Sequence, residues 1–164
     1  MTVIVIIGIL VVLLFPALNM VRSHTDKVRC SENLRQLYLG ANSYIHQNGH
    51  WPQISTALIK GNLQTHAYDK AWIDALTPFG IPRAVWICPT VQRGLGGPDY
   101  TKPENTRIDY IAMPFDDKQM TPFRWPTSPW FAEKGDVHGN GNLIIFTDGS
   151  IKAAKEVRPS GTAE

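Results

Sequence analysis

The residues best suited to chemistry are few and scattered. His138 stands two positions after Asp136 and ten before Asp148, while Cys30 and Cys88 lie far apart in the chain. A histidine with two carboxylates could hold a divalent metal or prime a water for hydrolysis. No H-E-x-x-H helix, nucleophile elbow or second carboxylate cluster accompanies the three. "GDVHGNGN" offers one carboxylate without calcium-loop spacing, so calcium is a remote option and no cofactor is assigned. His138, Asp136 and Asp148 are therefore weak metal candidates. The reading that fits them better is structural: Asp148-Gly149 makes a turn, and His138 fixes the loop entering the preceding strand by a side-chain-to-backbone hydrogen bond. The cysteines lack metal-ligand spacing. They could form one disulfide in an oxidising compartment, or pack as two small buried thiols. No catalytic residue is assigned, and the chain does not read as an enzyme.

The elements that must position these residues begin with an apolar run. Residues 1–21 of the 164 carry no charged side chain, and Thr2 and Asn19 are their only polar members. Such a helix reaches about 31 Å, close to the hydrocarbon thickness of a bilayer. A cleaved signal would need a basic start, a shorter core and a small-x-small site, which "FPALNM" lacks. The segment therefore reads as a retained span with Val3, Ile6, Gly8, Leu10, Leu14 and Pro16 in it. Pro16 removes a backbone donor, so a kink or local melting is expected there. Arg22, Lys27, Arg29 and Arg35 follow the span, and by charge alone they would hold the rest of the chain in the cytoplasm. The formal charge of +2 is too small and too evenly spread for a nucleic-acid surface.

The helical pattern continues past the apolar run. Cys30, Leu34, Leu37, Ala41 and Tyr44 recur at helical spacing, so residues 24–47 read as an amphipathic helix with one face to bury. Gly49 and Pro52 in "QNGHWP" end it. Further on, "AWIDALTPFGI" suggests a short helix, and "AVWICPT" and "TRIDYIAM" suggest strands. "QRGLGGPDYTKPEN" and "TPFRWPTSPW" read as long loops. Phe123, Trp125, Trp130 and Phe131 either lid a small core or form a surface for a secreted substrate, a sugar polymer or a neighbouring head. "NLIIFT" and "SIKAAKEV" flank Asp148-Gly149, which predicts a hairpin closed by a two-residue turn, with Ile151, Ala153 and Val157 on one face. The fold class is α+β: a long N-terminal helix, transmembrane over 1–22 and amphipathic over 23–48, packed on a small antiparallel head over 49–157, with a flexible tail over 158–164.

Three stretches in this order resemble type IV pilin-like proteins, particularly the pseudopilin-like group with a prepilin-type N-terminal segment and an H-x9-DG domain. "TVIVIIGILVVLLFPAL" is similar to the continuation of the prepilin segment, with Gly8 and Pro16 in register. "CSENLRQLYLGANSYIHQNGHWP" with the later "ICPT" is similar to the family's Cys-x3-Leu-(Lys/Arg)-Gln-Leu helix, its Asn-Gly-x-aromatic-Pro corner and its downstream Cys-Pro. "HGNGNLIIFTDG", from His138 to Gly149, fits H-x9-DG.

The resemblance implies a structural subunit of a type II secretion or type IV pilus-like filament. Its partners would be the bilayer, other pilin-like subunits and an inner-membrane assembly platform, with no nucleic acid. It also implies a single pass through the inner membrane and a periplasmic head, the reverse of the orientation that the charges suggest. In the family's register Met1 falls several residues into the segment. A basic leader, a peptidase site and a glutamate are therefore expected upstream, and a prepilin peptidase would be a partner only in that case. The alternative is a membrane-anchored extracytoplasmic module that binds carbohydrate or a secreted substrate and does not polymerise.

Overall fold

The computed structural model describes residues 2–58, 66–95, 105–139 and 141–157 and, except at 2–6, 8–17, 19, 56 and 66, their side chains. Helix α1 (Thr2–Asn48) is one unbroken element. It continues through Pro16, so the local melting expected there does not occur. Its end follows from the sequence: Gly49 takes φ +77° and donates its N–H to the Ile45 carbonyl at 2.8 Å, a left-handed cap that a Cβ would strain. Among the described residues no helix is long and apolar enough to cross a membrane, so the transmembrane half expected over 1–22 is not shown. Most of its side chains lie outside the described residues.

Short helices α2 (His66–Leu76) and α3 (Pro89–Leu95) precede a four-stranded antiparallel sheet. Its strands, β1 (Tyr110–Ala112), β2 (Pro129–Glu133), β3 (Leu143–Phe146) and β4 (Ile151–Ala153), pair in sequential order. Ile111 pairs with Ala132, Ala132 with Ile144, and Ile144 with Lys152. An irregularity between Pro129 and Phe131 shifts the register. The sheet buries an apolar face against α1, whose residues Cys30, Leu34, Leu37, Ala41 and Ile45 are all fully buried. Trp51, just past the helix end, packs its ring against Trp72, Phe115, Trp130 and Phe131 and closes one end of the core.

Five local expectations are corrected. "AVWICPT" is a 3-10 turn (Arg83–Trp86) followed by the start of α3, not a strand. Pro82 and Pro89 bracket it, and proline at a helix start has no hydrogen bond to lose. The loop read over "TPFRWPTSPW" is interrupted by a 3-10 turn (Thr121–Phe123) and ends in β2, a central strand. The last strand stops at Ala153 and turns into a 3-10 helix (Ala154–Glu156), which leaves Val157 exposed rather than facing inward with Ala153. The hairpin is present, but its turn has three residues. Phe146 and Ser150 pair across it, Gly149 N–H returns to the Phe146 carbonyl at 2.9 Å, and only Gly149 has a positive φ. The expected loop over 92–105 is helical to Leu95; its residues 96–104 and the tail 158–164 lie outside the described residues.

Candidate functional site at the stem and its junction with the head

Helix α1 meets the head along part of its length. Asp26 is the first described side chain along it that the head buries. N-terminal to that point Ile7, Leu18, Met20 and Val21 are apolar and exposed, at 55%, 46%, 77% and 62%. Leu18, Met20 and Val21 fall within one turn of the helix, and among the described residues none of the four is covered by the head. The side chains of Val3, Ile6, Leu10 and Leu14, and the packing around Gly8 and Pro16, lie outside the described residues.

Where the head begins, charges clasp it to the helix. Arg93 on α3 donates twice to the Asp26 carboxylate, at 2.6 and 3.0 Å. Thr90 adds a longer hydrogen bond at 3.4 Å. The Arg93 guanidinium holds the Asp26 carboxyl below its ordinary range, against the opposing effect of burial. One turn further on, Cys30 enters the core. Asn33 donates to the Ile87 carbonyl at 3.0 Å and to the Tyr110 hydroxyl at 3.1 Å, tying the stem to both the segment before α3 and strand β1. Tyr38 donates to the Thr147 carbonyl at 2.9 Å and stacks on Trp130. Leu34, Leu37 and Ala41 fill the interface, and Tyr44 packs at its edge, half-buried.

Four side chains that could ligate a metal converge at this junction: Cys30, Cys88, Glu133 and His138 offer ligand atoms all within 4.8 Å of one another. The two Sγ atoms are 2.8 Å apart, and both cysteines are buried and free. The neighbouring Cys88 and burial together push the Cys30 thiol up. His138 Nε2 donates to Glu133 Oε1 at 3.1 Å, with both side chains 2% exposed. Glu133 Oε2 accepts the Leu143 N–H at 2.9 Å. Burial raises the Glu133 pKa, partly offset by these partners.

These contacts correct the reading of His138. Among the described residues its hydrogen bond goes not to the backbone of its loop but to the Glu133 carboxylate, which in turn caps the start of β3. Asp136 and Asp148 do not join it. Asp136 faces Lys155 at 3.4 Å, and Asp148 accepts the Ser150 N–H at 2.9 Å inside the hairpin turn. Trp130 and Phe131 are core residues on β2 and Phe123 packs partly against them, while Trp125 is exposed with the Arg124 guanidinium 5.5 Å from its ring centre.

Glu133 is the member of the cluster that sequence reading missed. It lies at the end of β2, which the sequence reading did not recognise as a strand, so nothing local set this carboxylate apart. Compared with protein-family models, curated proteins and solved structures, the chain matches none.

Proposed function

We propose that this chain is a structural subunit of a pilin-like filament, a pseudopilin or minor pilin of a type II secretion or type IV pilus-like system. The observation that carries the reading is the division of α1. One continuous helix buries a stripe in the head from Asp26 to Ile45 and carries bare apolar side chains before it. About 20 residues of helix beyond the head extend roughly 30 Å. That surface needs an apolar surrounding, which lipid supplies first and sister helices supply after assembly. On this reading the protein sits in the inner membrane with its head in the periplasm. Its partners are other pilin-like subunits and the assembly platform, and the chain does no catalysis.

The test is cross-linking in cells with cysteines placed at Leu18 and Met20. Ladders that vanish when the assembly ATPase is deleted support the proposal. Monomers only, with the protein still in the membrane fraction, favour the second reading. That second reading, an anchored binding module, draws on Trp125, whose exposed ring beside Arg124 is the kind of platform that stacks on a sugar.

A further inference from the structure

Cys30, Cys88, Glu133 and His138 reach one point from four parts of the fold: the stem, the segment before α3, the end of β2 and the loop after it. We infer that they form a structural zinc site that fastens the stem helix to the head, a role independent of whether the chain polymerises.

The donor set argues for it first. Two sulfurs, one imidazole nitrogen and one carboxylate oxygen make a four-donor set of the kind that tetrahedral zinc accepts; a hard cation such as calcium would want six or more oxygens. The spacing argues for it next. Ligands on a tetrahedral zinc stand roughly 3.3–3.8 Å apart, given metal–ligand distances of about 2.0–2.3 Å. The present atoms fall within 4.8 Å, with the sulfurs at 2.8 Å, so shifts of about 1 Å would seat the ion.

The surroundings are those of a built site. Glu133 has Oε2 fixed by the Leu143 N–H, while its Oε1 meets His138 Nε2 at 3.1 Å, a contact that a shared metal ion would replace. The Tyr110 hydroxyl is held by Asn33 at 3.1 Å. Asp109 accepts the Cys88 N–H at 2.8 Å. Such outer contacts orient metal ligands. A cavity of about 270 Å³ beside the cluster is lined by Cys88 and Glu133, with Arg107, Asp109 and Lys134 also on its wall. A disulfide between Cys30 and Cys88 would account for the two sulfurs alone, whereas a zinc site accounts for all four converging ligands. In the absence of a metal Glu133 and His138 pair with each other at 3.1 Å, and a cation seated among the four ligands would take the place of that pairing.

The test uses the full chain purified from membranes in detergent under reducing conditions. Elemental analysis is expected to find stoichiometric zinc. Exchange with Co(II) is expected to give the visible bands of a tetrahedral ion and a thiolate-to-metal charge-transfer band. Cys88→Ser and His138→Ala should abolish both signals. Glu133→Gln, which preserves shape if the others fail to fold, should weaken Co(II) binding by at least about tenfold. The proposal is overturned if the reduced chain binds no Co(II), or if Glu133→Gln binds it as tightly as the parent. It is equally overturned if protein from cells, analysed without reductant, lacks the mass of two hydrogens because Cys30 and Cys88 are bonded.

Discussion

Ile81 rests directly on the backbone of α1 at Gly40: a Cβ at position 40 would stand 2.3 Å from Ile81 Cγ1 and 2.7 Å from its Cδ1. Ile81 is itself buried, at 4% exposure, so its side chain has nowhere to retreat. Gly40→Ala would gain up to about 1 kcal/mol of helix propensity and lose more to overpacking. The expected net effect is a destabilisation of about 1–2 kcal/mol, read as a lower urea midpoint at unchanged slope. A neutral or stabilising result would mean that the segment carrying Ile81 can move off the stem.

The stem stripe predicts a contrast between near neighbours. Leu37 is fully buried against the sheet, while Leu39 is 61% exposed. Leu37→Ala should cost about 2–5 kcal/mol through lost burial and the cavity left behind, whereas Leu39→Ala should fall within about 0.5 kcal/mol of the parent. Thermal melts of the two variants side by side would check this. Equal effects would contradict the packing of α1 on the head.

The Asp26–Arg93 clasp gives stability an acid limb. Arg93 lowers the Asp26 pKa in the folded protein, so the folded state binds that proton less readily than the unfolded chain does. The contribution is fully present above the ordinary carboxylate value of about 4 and is lost as pH falls through the lowered folded value. Arg93 is largely exposed, so solvent and salt reduce the effect. Asp26→Asn should lower the melting temperature at neutral pH and flatten its decline below about pH 4. An unchanged acid limb in that variant would remove Asp26 from the account.

What could be read from the sequence was what repeats along it. The four-three spacing from Cys30 to Tyr44 marked the buried face of α1 because a helix needs only its own period to show which side is apolar. Gly49 marked the end of that helix, and Asp148-Gly149 marked the hairpin, because both depend on local backbone chemistry. Strand β2 was hidden for the opposite reason. It is central and buried at nearly every position, so it has no polar alternation, and it opens on Pro129 in a segment that reads as turn. "AVWICPT" misled in the reverse direction, since four consecutive buried apolar residues look alike in a strand and in a tight helical turn. The ligand cluster had no local signature at all. Cys30 and Cys88 meet only once α1 lies on the head, and Glu133 joins them only because β2 sits in the middle of the sheet.

Because α1 lies along the head rather than butting against it, a pull on the helix axis would load the interface in shear. The Asp26–Arg93 clasp and the Cys30–Cys88 contact, nearest the free end, would feel tension first, but Leu34, Leu37, Ala41 and Ile45 would have to slip together before the rod could slide out. Bonds broken all at once resist force far better than bonds unzipped in turn, so the same arrangement that buries one stripe of side chains also makes the head hard to strip from its shaft.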